Sequence, residues 1–205
     1  MKGIVLAGGS GSRLDPLTRI TNKHALPVYD QPMIFYPLKT LRDCGVDDTL
    51  IVTGGDFPGD LLRLVGDGRQ LGLRHVAYAY QSEAGGIAEA LALGEEFAAR
   101  GPICVILGDN ILETAPAESV DSWRCAGAIG AKVHLARVEV PQRFGVPVFH
   151  GDQVVAIEEK PQHPRSQYAV TGVYLYDATV FDRIRRLEMS ARGELEVTDL
   201  NNTYI

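Results

Sequence analysis

The sequence predicts an α/β fold, with helices covering both faces of a mixed but mainly parallel central sheet, and three features carry that reading. Short apolar runs rich in branched residues recur along the first half: KGIVLA at 2–7, DDTLIVTGG at 47–55 and GPICVILGDN at 101–110. Each ends in small or polar residues at its C-terminal side. Helical stretches separate them, and an alternation of strand and helix implies a parallel sheet. After about residue 130 the texture becomes strand-like throughout, which adds antiparallel or mixed pairing.

Each element has a local reason. KGIVLA is short, branched and bounded by glycine, so it reads as a buried strand rather than a helix. PMIFYPLKTLRDCG (32–45) sets Ile34, Leu38 and Leu41 at helical spacing. GIAEALALGEEFAARG (86–101) does the same with Ile87, Leu91 and Phe97, and Gly101 is its expected stop. AKVHLARVEV, GVPVFHGDQVVAIEEKP and YAVTGVYLYD read as strands, with a hairpin turn at His150, Gly151 and Asp152. TVFDRIRRLE supplies a closing helix and TDLNNTYI a last helical element. Ligands of open α/β sheets bind outside the carboxyl ends of the strands, which is where GGSGSR and GDN fall.

A length of 205 residues fits one domain with a substantial core. A net charge of -6 argues against nucleic acid or an acidic membrane as partner, since a phosphate backbone calls for a clustered positive surface. A small phosphorylated ligand needs only two or three placed cations. No apolar run reads as a signal peptide or a membrane span, so a cytoplasmic location is expected. Cys44, Cys104 and Cys125 form no CxxC pair and read as packing residues. The five histidines, His24, His75, His134, His150 and His163, show no metal-ligand spacing.

The first strand runs into LAGGSGSRL, Leu6 to Leu14. Gly8, Gly9 and Gly11 let the backbone turn sharply and approach a ligand, and amides in such a turn form an anion nest. Three named motifs fail here. No lysine follows Gly11 as a Walker A loop requires, Leu14 stands where a dinucleotide fingerprint needs glycine, and Ser12 spoils a nucleophile elbow around Ser10. The loop does carry Arg13, whose planar fork can grip two phosphate oxygens, and Lys23 follows as a second cation. Taken singly, the glycines fit a ligand-free turn, either cation fits a solvated surface charge, and Asp109 fits a helix cap. As a set they suit a triphosphate or pyrophosphate, with Asp109 placed to meet its metal, because Mg²⁺ takes one or two carboxylates alongside phosphate oxygens and water.

In order, LAGGSGSRLDPLT, NKHALPVYDQPMIFYPL, GGIAEAL, LGDN, FGVP, EEKP, YAVTGVYLYD and RGELEVTDLNN resemble the sugar nucleotidyltransferases, specifically the glucose-1-phosphate thymidylyltransferases. The resemblance covers nearly the whole chain. It implies a Rossmann-like nucleotidyltransferase fold in one domain, 1–205, with 1–130 mainly nucleotide-binding and an added antiparallel portion at 131–205 that is mainly sugar-phosphate-binding. It implies that dTTP and glucose 1-phosphate give dTDP-glucose and pyrophosphate with Mg²⁺, in a homo-oligomer. UTP or another sugar 1-phosphate fits the same chemistry.

By the same resemblance Leu6 belongs to the nucleotide site, Gly8, Gly9, Gly11 and Ser12 wrap the nucleotide's phosphates, Arg13 stabilises the departing pyrophosphate and Lys23 holds phosphate oxygens near the reacting centre. Gln81 and Gly86 read the base. Asp109 holds Mg²⁺, and Asn110, Gly145, Glu159, Lys160 and Val170 form the sugar phosphate site. In strand alternation Glu158 and Lys160 share a face while Glu159 points opposite, so lining one pocket requires a bend near Pro161. The family carries a second metal aspartate in a later loop flanked by tryptophan and glycine. This sequence ends at Ile205 without it, and Trp123 lies elsewhere. Either the sequence stops short of the whole protein or turnover is lost, and in the second case a catalytically silent nucleotide or nucleotide-sugar binding homologue is the alternative reading.

Overall fold

KGIVLA becomes β1 (Lys2–Ala7), and five of its six residues are buried because it lies inside the sheet with a strand on either side. The computed structural model describes residues 1–9 and 11–205. After the glycine loop come two short antiparallel strands, β2 (Pro27–Val28) and β3 (Gln31–Pro32), then α1 (Phe35–Asp43), β4 (Asp48–Gly54) and α2 (Pro58–Val65). β5 (His75–Gln81), α3 (Ile87–Ala92), α4 (Glu95–Ala98), β6 (Ile103–Leu107) and α5 (Ala117–Cys125) follow. The second half holds β7 (Ala131–Arg137), β8 (Gly145–His150), β9 (Gln153–Glu159), β10 (Tyr168–Tyr176), α6 (Val180–Ile184) and α7 (Val197–Asn202).

The main sheet has six strands in the order β5-β4-β1-β6-β10-β7. β5, β4, β1 and β6 run parallel, with Val5 in register with Ile51 on one side and Ile106 on the other. β10 enters antiparallel between β6 and β7. Strands from both halves of the chain thus share one sheet. β8 and β9 form the separate hairpin whose turn falls at Gly151, as its sequence requires.

Side chains of a strand alternate faces, so the sheet divides its apolar residues into two cores. Val5, Ile51, Ile106 and Leu175 face α1, α2 and α5, packing on Leu38, Leu61 and Trp123. Ile4, Leu50, Val105 and Tyr176 face α3, α6 and α7, packing on Leu91, Phe181 and Leu200. The helices expected on both faces are there.

Three sequence readings are corrected. The 86–101 stretch is two helices, broken at Gly94, where a Cβ would stand 2.5 Å from Ile4 Cδ1; the chain must step aside to close on β1. The second piece ends at Ala98, with left-handed Ala99 rather than Gly101 as the stop. β5 is a fourth parallel strand that periodicity missed, because an edge strand of alternating alanine and aromatic residues has no continuous apolar run.

Candidate active site

β1, β4, β5 and β6 end on one side of the sheet, and their C-terminal ends carry the glycine loop, Gly54, Gln81 and Gly108-Asp109. Two adjoining cavities open there. One of about 260 Å³ is lined by Leu6, Gly8, Gly9, Lys23, Gln81, Gly86 and Asp109, together with His24 and Glu194. The other, of about 180 Å³, shares Gly9, Lys23 and Gln81. Residues spread over more than 100 positions of sequence meet because parallel strands deliver their ends to the same edge.

The glycine loop is tightly built. Gly11 has φ 62°, and a Cβ there would lie 2.9 Å from both Lys23 Cβ and Thr18 Cγ2, so only glycine lets the loop pass so close to the lysine. Ser12 to Leu14 form a single 3-10 turn in which Leu14 N–H donates to the Gly11 carbonyl. Arg13 and Ser12 sit exposed on that turn and line neither cavity, and Ser10 lies outside the described residues.

Lys23 Nζ donates to Asp109 Oδ2 at 2.8 Å. Partial burial alone would raise the Asp109 carboxyl, yet the hydrogen bond and charge of Lys23 outweigh it and hold the group below the usual carboxylate range. Beneath them His24 is buried, with Nδ1 2.9 Å from Asn22 Oδ1, and Asn22 Oδ1 also accepts the His24 backbone N–H. An amide oxygen only accepts, so Nδ1 carries the proton. Burial first, and the neighbouring Lys23 charge second, lower this histidine to about 3, so it stays neutral.

At the end of β5, Gln81 Nε2 donates to Glu89 Oε2 at 2.6 Å and to the Gly86 carbonyl at 3.3 Å. Gly86 has φ 102°, and a Cβ on it would meet the Leu195 carbonyl at 2.5 Å. That contact is part of a pairing in which Leu195 N–H donates to Gly85 and Ala88 N–H to Leu195, which brings Glu194 to the cavity wall.

A third cavity of about 190 Å³ is lined by Gly145, Glu159, Val170, Thr198 and Tyr174, and it shares Ile87 and Leu107 with the first. Glu159 Oε2 accepts from Thr198 Oγ1 at 2.6 Å. The bend expected near Pro161 occurs one residue earlier, at Lys160, whose φ of 44° ends the strand alternation and lets Lys160 Nζ approach Glu159 Oε1 at 3.0 Å. Lys160 itself does not line this cavity, nor does Asn110, whose Oδ1 accepts from Gly172 N–H at 2.9 Å. His24, Glu194 and Thr198 were not singled out as site residues by sequence reasoning, because contacts across the fold place them.

Over residues 2–205 the chain matches the family model described as nucleotidyl transferase. The chain belongs to that family. Its relatives over the whole of its length include glucose-1-phosphate thymidylyltransferases: one from Neisseria meningitidis serogroup A is 45% identical and one from Actinoplanes sp. 48%. The chain covers 71% and 67% of those two proteins. A Bacillus anthracis protein assigned the same activity and solved in complex with a sucrose superposes with a TM-score of 0.93 at 48% identity, covering all of this chain and 82% of that one. A UDP-glucose pyrophosphorylase solved with UDP-glucose shares the fold, with a TM-score of 0.83 at 21% identity over 98% of this chain and 85% of its own. This nucleotidyl transferase therefore has the mainly parallel α/β sheet of its family, extended by antiparallel strands. Among the described residues no helix is long and apolar enough to cross a membrane.

Proposed function

We propose that the protein joins dTTP to glucose 1-phosphate, giving dTDP-glucose and pyrophosphate. One observation carries the reading: Gly8, Gly9 and Lys23 at the phosphate end, Gln81 and Gly86 at the base end, and Asp109 just beyond the end of β6 all line one cavity. The cavity holding Gly145, Glu159 and Val170 adjoins it across Ile87 and Leu107, which supports a sugar phosphate site next to the nucleotide site. Residues 1–130 mainly hold the nucleotide and 131–205 mainly the sugar phosphate, with Glu194 crossing from the second set to the first.

The chemistry asks the protein for alignment and charge neutralisation. A phosphate oxygen of the sugar 1-phosphate attacks the α-phosphorus in line, and the bond to the β-phosphate's bridging oxygen breaks. Lys23 holds an α-phosphate oxygen as charge builds, while Arg13, exposed on its turn, stabilises the departing pyrophosphate with the backbone of Gly8, Gly9, Gly11 and Ser12. Lys160 neutralises the attacking phosphate, Glu159 accepts from sugar hydroxyls, and Asn110, which accepts from Gly172 of β10, completes the sugar phosphate site. Among the described residues no group of three potential ligands could cage a metal, but a single carboxylate fits Mg²⁺, which takes its other ligands from phosphates and water. Asp109 is the residue that would hold it, and the ion would supply further neutralisation of phosphate charge. The resemblance also supports a cytoplasmic homo-oligomer.

The test is turnover by the purified protein with a panel of nucleoside triphosphates and sugar 1-phosphates, following pyrophosphate. Release with dTTP and glucose 1-phosphate, abolished in Asp109→Ala, is the expected result. Tight nucleotide binding with no product would instead identify a silent binding homologue.

A further inference from the structure

Base recognition turns on which end of the Gln81 side chain faces the nucleotide, because a primary amide has a donor end and an acceptor end that differ little in shape. The surroundings settle the orientation. Glu89 Oε2 already accepts the Gly85 backbone N–H at 3.0 Å, so it acts as an acceptor, and it lies 2.6 Å from the Gln81 amide nitrogen. The Gly86 carbonyl, which can only accept, lies 3.3 Å from the same nitrogen. Reversing the amide would set its oxygen against two acceptors and lose two hydrogen bonds. Gln81 Oε1 therefore points the other way, beside Gly8 on the cavity wall, 3.2 Å from where a Gly8 Cβ would stand.

We propose that Glu89 is a positioning residue for base choice: by occupying the Gln81 nitrogen, it fixes Oε1 as the group offered to the base. This rests on the reading of Gln81 as a base contact. An acceptor selects a pyrimidine that carries a ring N3–H, thymine or uracil, and repels cytosine, whose N3 is a lone pair. Glu89 does not line the cavity and acts only through Gln81 and the Gly85-Gly86 backbone. The packing leaves little alternative, since a Cβ on Gly85 would stand 2.2 Å from Glu89 Oε2.

The test compares dTTP and dCTP affinities by calorimetry on the full chain, without turnover. Wild type favours dTTP. Glu89→Leu and Glu89→Ala, one filling the space and the other opening it, are each expected to cut the dTTP-over-dCTP ratio by on the order of tenfold, about the value of one hydrogen bond. Glu89→Gln, whose own oxygen can still accept, is expected to restore most of it, and sugar 1-phosphate affinity is expected to stay unchanged in all three. If both truncations keep the wild-type ratio while Gln81→Leu loses it, Gln81 reads the base without Glu89 and the proposal is overturned. If Gln81→Leu also keeps the ratio, the reading of Gln81 itself fails.

Discussion

Lys23 Nζ and Asp109 Oδ2 stand 2.8 Å apart although 86 residues separate them in the chain. The cation proposed to hold phosphate and the carboxylate proposed to hold metal neutralise each other in the free protein. On the proposed function, phosphate oxygens would take the place of the carboxylate at Lys23, which would free Asp109 to hold the metal. The pair is partly open to solvent, so its own contribution to stability is small, about 0–1 kcal/mol. Lys23→Met should leave the melting temperature nearly unchanged and lower kcat by about a hundredfold or more, as expected for losing a preorganised charge contact. Steady-state kinetics beside thermal melts test this, and an unchanged kcat would remove Lys23 from the mechanism.

His24 gives the fold an acid sensitivity with a defined sign. Its folded-state value near 3 lies below the ordinary 6.5, so the unfolded chain binds the proton more readily. The stability this neutral histidine provides is complete above pH 6.5 and is lost progressively as pH falls from there toward 3. Between pH 7 and pH 5 the loss is roughly 2 kcal/mol. In His24→Gln, which keeps a donor for Asn22, that part of the pH profile should flatten. Denaturant melts at both pH values measure the difference, and parallel profiles would contradict it.

Gly86→Ala should damage both stability and base binding. The added methyl group meets the Leu195 backbone rather than a yielding side chain, and the φ of 102° suits no L residue. A loss of about 1–3 kcal/mol is expected from strain of this kind. Weaker dTTP binding should accompany it, because relief requires moving the strand of backbone that carries Glu194. Wild-type affinity and stability together would show that segment to be free to shift.

Tyr176 and Asn201 anchor the last helix. Both are buried, and the tyrosine hydroxyl donates to Asn201 Oδ1 at 2.6 Å. Asn201→Ala leaves that hydroxyl without its partner at a cost of about 1–3 kcal/mol. Tyr176→Phe in the same background removes the orphaned group and should recover part of the loss. A double-mutant cycle by chemical denaturation reads the coupling directly.

β1, β4 and β6 were legible because a strand buried on both faces must be apolar throughout, and such runs stand out against glycine and aspartate. The hairpin at Gly151 was legible because a left-handed turn names its residues. β5 was not, since its alanines and tyrosines gain meaning only once β4 lies alongside. The break at Gly94 has its cause in Ile4 and Leu50, far off in sequence. At the site, its place at the end of a strand pointed to Asp109, resemblance named Gln81 and Glu159, and nothing local could have named Glu89, Glu194 or Thr198. Each of those is defined by the partner it touches.

The strand order also bears on how the chain is made. β10 lies between β6 and β7, so on the ribosome β6 emerges some 60 residues before the strand that will cover its outer side. Until Tyr176 is delivered, a row of free amides and carbonyls along β6 is open to any neighbouring nascent peptide. Messages cut short before that point yield sticky products, and slow decoding between the two strands lengthens the hazard.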